Sequence, residues 1–74
     1  MFDEVAEILE GYTEVSKEEM TPDMLLVDDL GLNSVSYFAI VFDLEDAFDI
    51  EIPDDAVKTI RSIRDLVEFI ESES

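Results

Sequence analysis

The stretch 35–48 constrains the fold most strongly, because apolar residues fill two faces of one predicted helix. One stripe follows the three- and four-residue spacing of a single helical face; it consists of Tyr37, Ile40, Val41, Leu44 and Phe48. A second stripe, on another face, consists of Val35, Phe38, Ala39 and Phe42. A surface helix of a small domain usually buries one such face. The longer stripe is therefore predicted to face the core, and the second to stay partly exposed.

Acidic side chains border the second stripe of this helix. An exposed apolar patch with a polar rim is typical of a surface that binds another protein. The alternative is that the preceding loop and the later helices bury both stripes. The predicted partner-binding residues are Val35, Phe38, Phe42, Asp43, Glu45 and Asp46.

Three other segments also have helical signatures. Residues 2–12 repeat apolar groups at helical spacing, with acids in the early turns, where the helix dipole favours them. Pro53, followed by two aspartates, predicts the start of a short helix. The pattern Ser62 to Asp65 is typical of the capped start of a last helix. The sequence thus predicts an all-α fold of three main helices plus one short helix.

The connection 13–33 between the first two predicted helices is long and apolar. It contains the breakers Pro22 and Gly31. A segment this apolar cannot be a free linker, so we expect it to pack across the helices as an ordered loop with a short turn of its own. Its large apolar residues are Met20, Met24, Leu25, Leu26, Val27, Leu30 and Leu32.

The residue inventory argues against an enzyme. At 74 residues the chain predicts one small domain over 1–74, with little room for a catalytic cleft. It has no histidine, which excludes a Ser-His-Asp triad, and no cysteine, which excludes a thiolate metal site. The acid-rich stretch 43–54 lacks the glycine and the final glutamate of a calcium-binding loop. We predict neither a catalytic residue nor a metal site.

The net charge of −17 limits the partners of this chain. Nucleic acids and anionic membranes are themselves polyanions, so we expect neither as a partner. Basic protein surfaces are favoured through electrostatic steering. Apolar runs are too short to span a membrane, and the N-terminus lacks a basic-then-apolar signal pattern. We therefore expect a cytoplasmic, monomeric protein that does not insert into membranes.

Ser34, just before the predicted second helix, has two interpretations. A serine in that position is most often the N-cap of the helix. Asn33 could cap the helix equally well, which would leave the Ser34 hydroxyl facing outward. Because a helix N-terminus stabilises phosphate, an outward serine there would suit attachment of a phosphodiester.

The stretch DDLGLNSVSYFAIVFDLEDAFDIEIPDD, residues 28–55, resembles the core signature of the acyl carrier protein family. That signature combines an acidic pair, Leu-Gly, a serine at the start of helix two, and a Phe-Asp-Ile-Glu-Ile-Pro segment. Flanking apolar positions keep the spacing of the family without gaps, so the resemblance covers nearly the whole chain. The matching residues in this stretch are Asp28, Asp29, Leu30, Gly31, Ser34, Leu44, Glu45, Phe48, Asp49, Ile50, Glu51, Ile52 and Pro53.

The resemblance implies a four-helix bundle with a long ordered loop between helices one and two. It also implies that 4′-phosphopantetheine, supplied by coenzyme A, is attached to Ser34 by a phosphopantetheinyl transferase. The arm would carry acyl groups as thioesters to acyl-transferring or condensing enzymes with basic docking surfaces, in fatty-acid, polyketide or related biosynthesis. An aminoacyl, peptidyl or D-alanyl cargo, and an unmodified acidic adaptor for a basic partner, stay open as alternatives.

Departures from the family pattern point to a specialised carrier. The aspartate usual before the serine is Asn33, and acids common in helix two are replaced by Ser36 and Ala39. Phe38 and Phe42 are bulkier than the usual residues of the partner face. We therefore predict a dedicated pathway rather than bulk fatty-acid synthesis.

Overall fold

The computed structural model describes residues 1–73. In that range the chain forms four α-helices: α1 (Phe2–Glu10), α2 (Ser34–Phe48), α3 (Asp54–Thr59) and α4 (Ile63–Glu73), together with a 3₁₀ helix (Lys17–Glu19). Helix α1 packs against α2, α4 and the 3₁₀ helix. The all-α prediction is confirmed. No helix within these residues is long and apolar enough to cross a membrane.

The core consists of the apolar stripes that the helical spacing predicts, together with loop residues. Of the longer α2 stripe, three residues are buried, and Tyr37 and Phe48 pack partly buried against the core. Every buried residue of the described chain is apolar. The buried set is Val5, Ala6, Leu9, Met20, Leu26, Leu30, Leu32, Ile40, Val41, Leu44, Ile52, Ile60, Ile63, Leu66 and Ile70.

Three helix boundaries differ from the sequence-based prediction, and one of them is the start of α2, which lies at Ser34 instead of residue 35. Helix α1 ends at Glu10 instead of residue 12. The backbone N–H groups of Gly11 and Tyr12 donate to carbonyls three residues earlier, so a tighter turn replaces the α-helical hydrogen-bond pattern there. Pro53 takes the N-cap position of α3 rather than its first turn. Helix α4 has the predicted cap, since the N–H of Asp65 donates to the Ser62 hydroxyl at 3.2 Å.

The connection between α1 and α2 is tied to the start of α4 by backbone hydrogen bonds. The N–H of Leu26 donates to the Arg61 carbonyl at 2.9 Å, and the N–H of Ile63 donates to the Met24 carbonyl at 3.0 Å. A third bond runs from the N–H of Arg64 to the carbonyl of Pro22 at 2.9 Å. These bonds fix the connection beside the N-terminal half of α2, where Ser34 lies.

Candidate functional site

Ser34 is the first residue of α2, and the structure assigns the capping role to its neighbour. The side-chain oxygen of Asn33 accepts a hydrogen bond from the N–H of Ser36 at 2.9 Å. This is the N-cap geometry that satisfies a donor in the first turn. Ser34 is exposed, and no hydrogen bond engages its hydroxyl within residues 1–73. The prediction that Asn33 can cap the helix and leave Ser34 facing outward is confirmed.

The N-terminus of α2 also differs electrostatically from the other helix starts. Acidic residues occupy the first turns of α1, α3 and α4, whereas α2 has none. The exposed N–H groups of a helix start carry a partial positive charge that favours an anion. A phosphate ester on the Ser34 hydroxyl would therefore meet a favourable dipole and no acidic side chain of the same turn.

The second apolar stripe of α2 is exposed, as the sequence predicts. The exposed fractions are 80% for Val35, 53% for Phe38 and 70% for Phe42. The alternative, in which the loop and later helices cover both stripes, is wrong. All three side chains follow Ser34 along one face of the same helix, so a partner that approaches Ser34 from this side meets them.

The three acids predicted to border this face do not act alike. The hydroxyl of Tyr12 donates to the Asp43 carboxylate, and this hydrogen bond raises the pKa of Tyr12. Glu45 accepts a hydrogen bond from the N–H of Ile52 at 2.7 Å and is only partly exposed. Asp46 is exposed and has no side-chain hydrogen bond or ion pair within the described residues. Two of the three carboxylates thus have an intramolecular role that spacing along the helix does not reveal.

Tyr37 links α2 to α3 directly. Its hydroxyl donates to the carbonyl of Ile60 at 3.1 Å, with the Val57 carbonyl at 3.5 Å. Burial, with a smaller contribution from the carboxylate of Asp65, raises the pKa of Tyr37 to about 12. The sequence places Tyr37 in the core stripe but gives no sign of this bond, because the acceptors lie on another element.

Two open cavities flank the N-terminal half of α2. One, of about 370 Å³, lies between Tyr37, the loop residues Leu25 to Asp28, and Ile60 with Arg61. The other, of about 290 Å³, lies between Phe38 and the α3 residues Asp54, Val57 and Lys58. The sequence alone does not reveal that Lys58 and Arg61 lie beside α2, because both are far from that helix in the chain. Their place becomes visible only once α3 packs against that helix.

Comparison with known proteins identifies the family. The model of the phosphopantetheine attachment site family matches residues 3–70. The acyl carrier protein of Sulfurovum sp. (strain NBC37-1) is 40% identical over 72 residues, which cover 97% of this chain and 96% of that protein. The chain belongs to the acyl carrier protein family. The acyl carrier protein of Syntrophobacter fumaroxidans is also similar, with 38% identity over 66 residues, 89% of this chain and 82% of that one.

Solved structures of acyl carrier proteins share the fold. A structure of the acyl carrier protein of Enterococcus faecalis superposes with a TM-score of 0.86 at 30% identity, covering 99% of this chain and 92% of that one. A putative acyl carrier protein from Mycobacterium tuberculosis gives a TM-score of 0.77 at 28% identity, covering 97% of both chains. The predicted four-helix architecture is therefore confirmed.

Membership of the family establishes the chain as a carrier protein rather than an enzyme. Acyl carrier proteins bear a covalent 4′-phosphopantetheine group, receive it from a phosphopantetheinyl transferase and interact with acyl-handling enzymes. The chemistry of the α2 N-terminus fits that group, since it combines a free exposed hydroxyl with a helix start that carries no acid of its own.

Proposed function

We propose that the hydroxyl of Ser34 is the attachment point of 4′-phosphopantetheine, and that the chain carries acyl groups on this arm. The observation that carries the proposal is the division of roles at the start of α2. Asn33 caps the helix, so the Ser34 hydroxyl is left exposed and unbonded. The N–H groups of the first turn then favour the negative charge of a phosphodiester.

The arm supplies the thiol that a chain without cysteine lacks, and so allows acyl groups to be held as thioesters. The residues of the chain orient and present the arm. Asn33 fixes the direction in which α2 begins, and Tyr37 holds that helix against α3. The exposed face of Val35, Phe38 and Phe42 contacts the enzymes that load and use the arm.

We further propose a cytoplasmic monomer, folded as one domain over 1–74, that serves a dedicated acyl pathway. Its partners are a phosphopantetheinyl transferase and acyl-transferring or condensing enzymes with basic docking surfaces. The net charge of −17 supports basic partners. The exposed aromatic face, and the small residues Ser36 and Ala39 where acids are common, support a pathway distinct from bulk fatty-acid synthesis.

The attachment site is tested by mass spectrometry of the intact protein. The chain is incubated with coenzyme A, Mg²⁺ and a phosphopantetheinyl transferase of broad specificity. We expect the mass of one arm to be added, and Ser34→Ala to abolish the gain. Ser36→Ala is the matched control, because it removes a hydroxyl two residues away but keeps the N–H that Asn33 caps. No gain with several transferases would favour the unmodified adaptor.

The dedicated pathway is tested with the loaded protein. We expect standard fatty-acid condensing enzymes to elongate its acyl form slowly compared with a carrier of fatty-acid synthesis. Elongation at ordinary rates would contradict a specialised role. Loading by aminoacyl- or D-alanyl-activating enzymes, in place of acyl transferases, would instead support the aminoacyl alternative.

A further inference from the structure

We propose that Tyr37 limits the length of the acyl chain that can lie against this carrier, because its ring divides the groove between α2 and α3 into two cavities. The inference rests on the proposed function, since it concerns cargo on an arm attached to Ser34. It makes Tyr37 a specificity-determining residue that acts on the cargo and takes no part in attachment.

Tyr37 lies beside the attachment site. It follows Ser34 by three residues, and residues at that spacing are neighbours on a helix surface, with Cβ atoms about 5–6 Å apart. Tyr37 is partly buried and lines the open cavity of about 370 Å³, whereas Ser34 is exposed. An arm on Ser34 that folds back along α2 therefore brings its acyl chain to this cavity.

The lining of the larger cavity suits an alkyl chain of limited length. Leu25 and Val27 line it and are 39% and 59% exposed, so a chain that covered them would remove apolar surface from water. The buried residues Leu26 and Ile60 line it as well. A methylene group is similar in size to a water molecule, which takes about 30 Å³, so about 370 Å³ has room for about a dozen carbons.

The hydroxyl of Tyr37 lies at the boundary between the two cavities. It donates at 3.1 Å to the carbonyl of Ile60, which lines the larger cavity, and lies 3.5 Å from the carbonyl oxygen of Val57, which lines the smaller one of about 290 Å³. A chain that extends from one cavity into the other must displace the ring and break the bond to Ile60. Without the ring, the two cavities would form one groove with room for about twenty carbons.

Helix α3 depends on Tyr37 to close this groove. No residue of α3 itself is buried, and within residues 1–73 no other side chain of α2 forms a hydrogen bond to α3. Removal of the Tyr37 ring should therefore be enough to open the groove, because little else holds α3 against α2 at this point.

Melting temperatures of the loaded carrier test this length limit. The transferase loads the chain from butyryl-, octanoyl-, dodecanoyl- or hexadecanoyl-coenzyme A, and the intact mass confirms each product. An acyl chain that enters the cavity stabilises the folded state, by roughly 2 °C in melting temperature for each methylene that is half removed from water. We expect the melting temperature of the parent to rise up to dodecanoyl, and to change by less than about 2 °C between dodecanoyl and hexadecanoyl.

Two variants identify Tyr37 as the cause of the limit. In Tyr37→Ala, the melting temperature should rise by about 8 °C more between dodecanoyl and hexadecanoyl, because four further methylenes enter the opened groove. Tyr37→Phe is the matched control, since it keeps the ring and loses the bond to Ile60, and it should keep the limit of the parent. Each variant is compared only with its own loaded forms, so a general loss of stability does not affect the comparison. If Tyr37→Ala does not fold, Tyr37→Leu replaces it, because leucine is shorter but stays apolar.

Three results would overturn the inference. One is a parent whose melting temperature keeps rising from dodecanoyl to hexadecanoyl, a result that needs no variant. Another is a limit in Tyr37→Ala, or in Tyr37→Leu, at the same chain length as in the parent. The last is a melting temperature that no chain length changes, since the cargo would then lie in solvent. The proposed function fails separately, if the unmutated chain gains no arm from coenzyme A.

Discussion

Glu45 should stabilise the protein even though it adds to an already excessive negative charge. Its carboxylate accepts a hydrogen bond of 2.7 Å from the N–H of Ile52, a residue that is 5% exposed. The backbone carbonyl of Glu45 also accepts from the N–H of Ile50 at 3.2 Å, so this one residue anchors the chain that leaves α2. We predict that Glu45→Ala unfolds more easily than the parent.

The magnitude follows from two opposing effects. A hydrogen bond to a charged group contributes about 1.5–3 kcal/mol, and its loss leaves the N–H of Ile52 without that partner. Removal of one negative charge from a chain with a net charge of −17 relieves repulsion and raises the free energy of unfolding by a few tenths of a kcal/mol at low salt, roughly the size of a surface charge interaction. The net loss is therefore about 2 kcal/mol for Glu45→Ala. Glu45→Gln keeps an acceptor but loses the charge assistance, so it should lose about 1 kcal/mol.

Urea unfolding followed by circular dichroism measures both losses, and Asp46→Asn provides the matched control. The substitution Asp46→Asn removes a charge one residue further along the helix, and Asp46 has no comparable hydrogen bond in the described chain. The stability of this variant should therefore be unchanged or slightly higher. At about 1 M NaCl the repulsion between charges is screened, so removing a charge no longer raises stability. The stability loss of Glu45→Gln should therefore persist or grow, whereas any stability gain of Asp46→Asn should vanish. If Glu45→Gln and Asp46→Asn behaved alike at both salt concentrations, the reasoning would be refuted.

Three further predictions concern stability. Tyr37→Phe should cost about 1 kcal/mol at neutral pH through its lost bond to Ile60. Folding raises the pKa of Tyr37 from 10.0 to about 12, so the stabilisation that Tyr37 provides is present below pH 10 and is lost as the pH rises toward 12. A shift of two pKa units corresponds to about 2.7 kcal/mol of folding free energy. Because Tyr37 is partly exposed, we expect a loss of roughly 1 kcal/mol. The stability gap between parent and Tyr37→Phe, measured across that range, should close, and a constant gap would contradict the prediction. Gly31→Ala should lower the free energy of unfolding by about 1 kcal/mol because Gly31 has a φ of +70°. Gly11→Ala is the control, since Gly11 has a φ of −70° and should tolerate alanine. Equal urea midpoints for the two variants would argue against backbone strain at Gly31. NaCl and Mg²⁺ should raise the melting temperature by screening the charge of −17, and a melting curve indifferent to both would count against repulsion as a limit on stability.

The features that the sequence predicts correctly are those encoded within a few residues. The two stripes of α2 follow from helical spacing, and the exposure of Phe42 follows from the expectation that the longer stripe faces the core. The cap by Asn33 can be predicted as one of two alternatives because an N-cap depends only on the next three residues. The cap of α4 by Ser62 likewise depends only on neighbouring residues.

The features that the sequence does not reveal depend on residues far apart in the chain. The bond from Tyr12 to Asp43 requires α1 and α2 to be in contact, and the bond from Tyr37 to Ile60 requires α3 to be in place. The helical position of Glu45 predicts a place in the partner-binding rim, whereas its bond to Ile52 depends on how the chain turns after α2. No periodicity in the sequence distinguishes an acid that faces solvent from one that holds a loop.

The backbone bonds between the connection and the start of α4 have a consequence for how the protein folds during synthesis. The partners of Met24 and Leu26 are Ile63 and Arg61, which leave the ribosome long after them. Helical proteins usually fold through local contacts, but these two backbone bonds can form only after the chain has been synthesised as far as Arg61 and Ile63. The part of the connection that carries Met24 and Leu26 is therefore tied to the start of α4 only late in synthesis, whereas the cap of α2 by Asn33 depends on neighbouring residues alone.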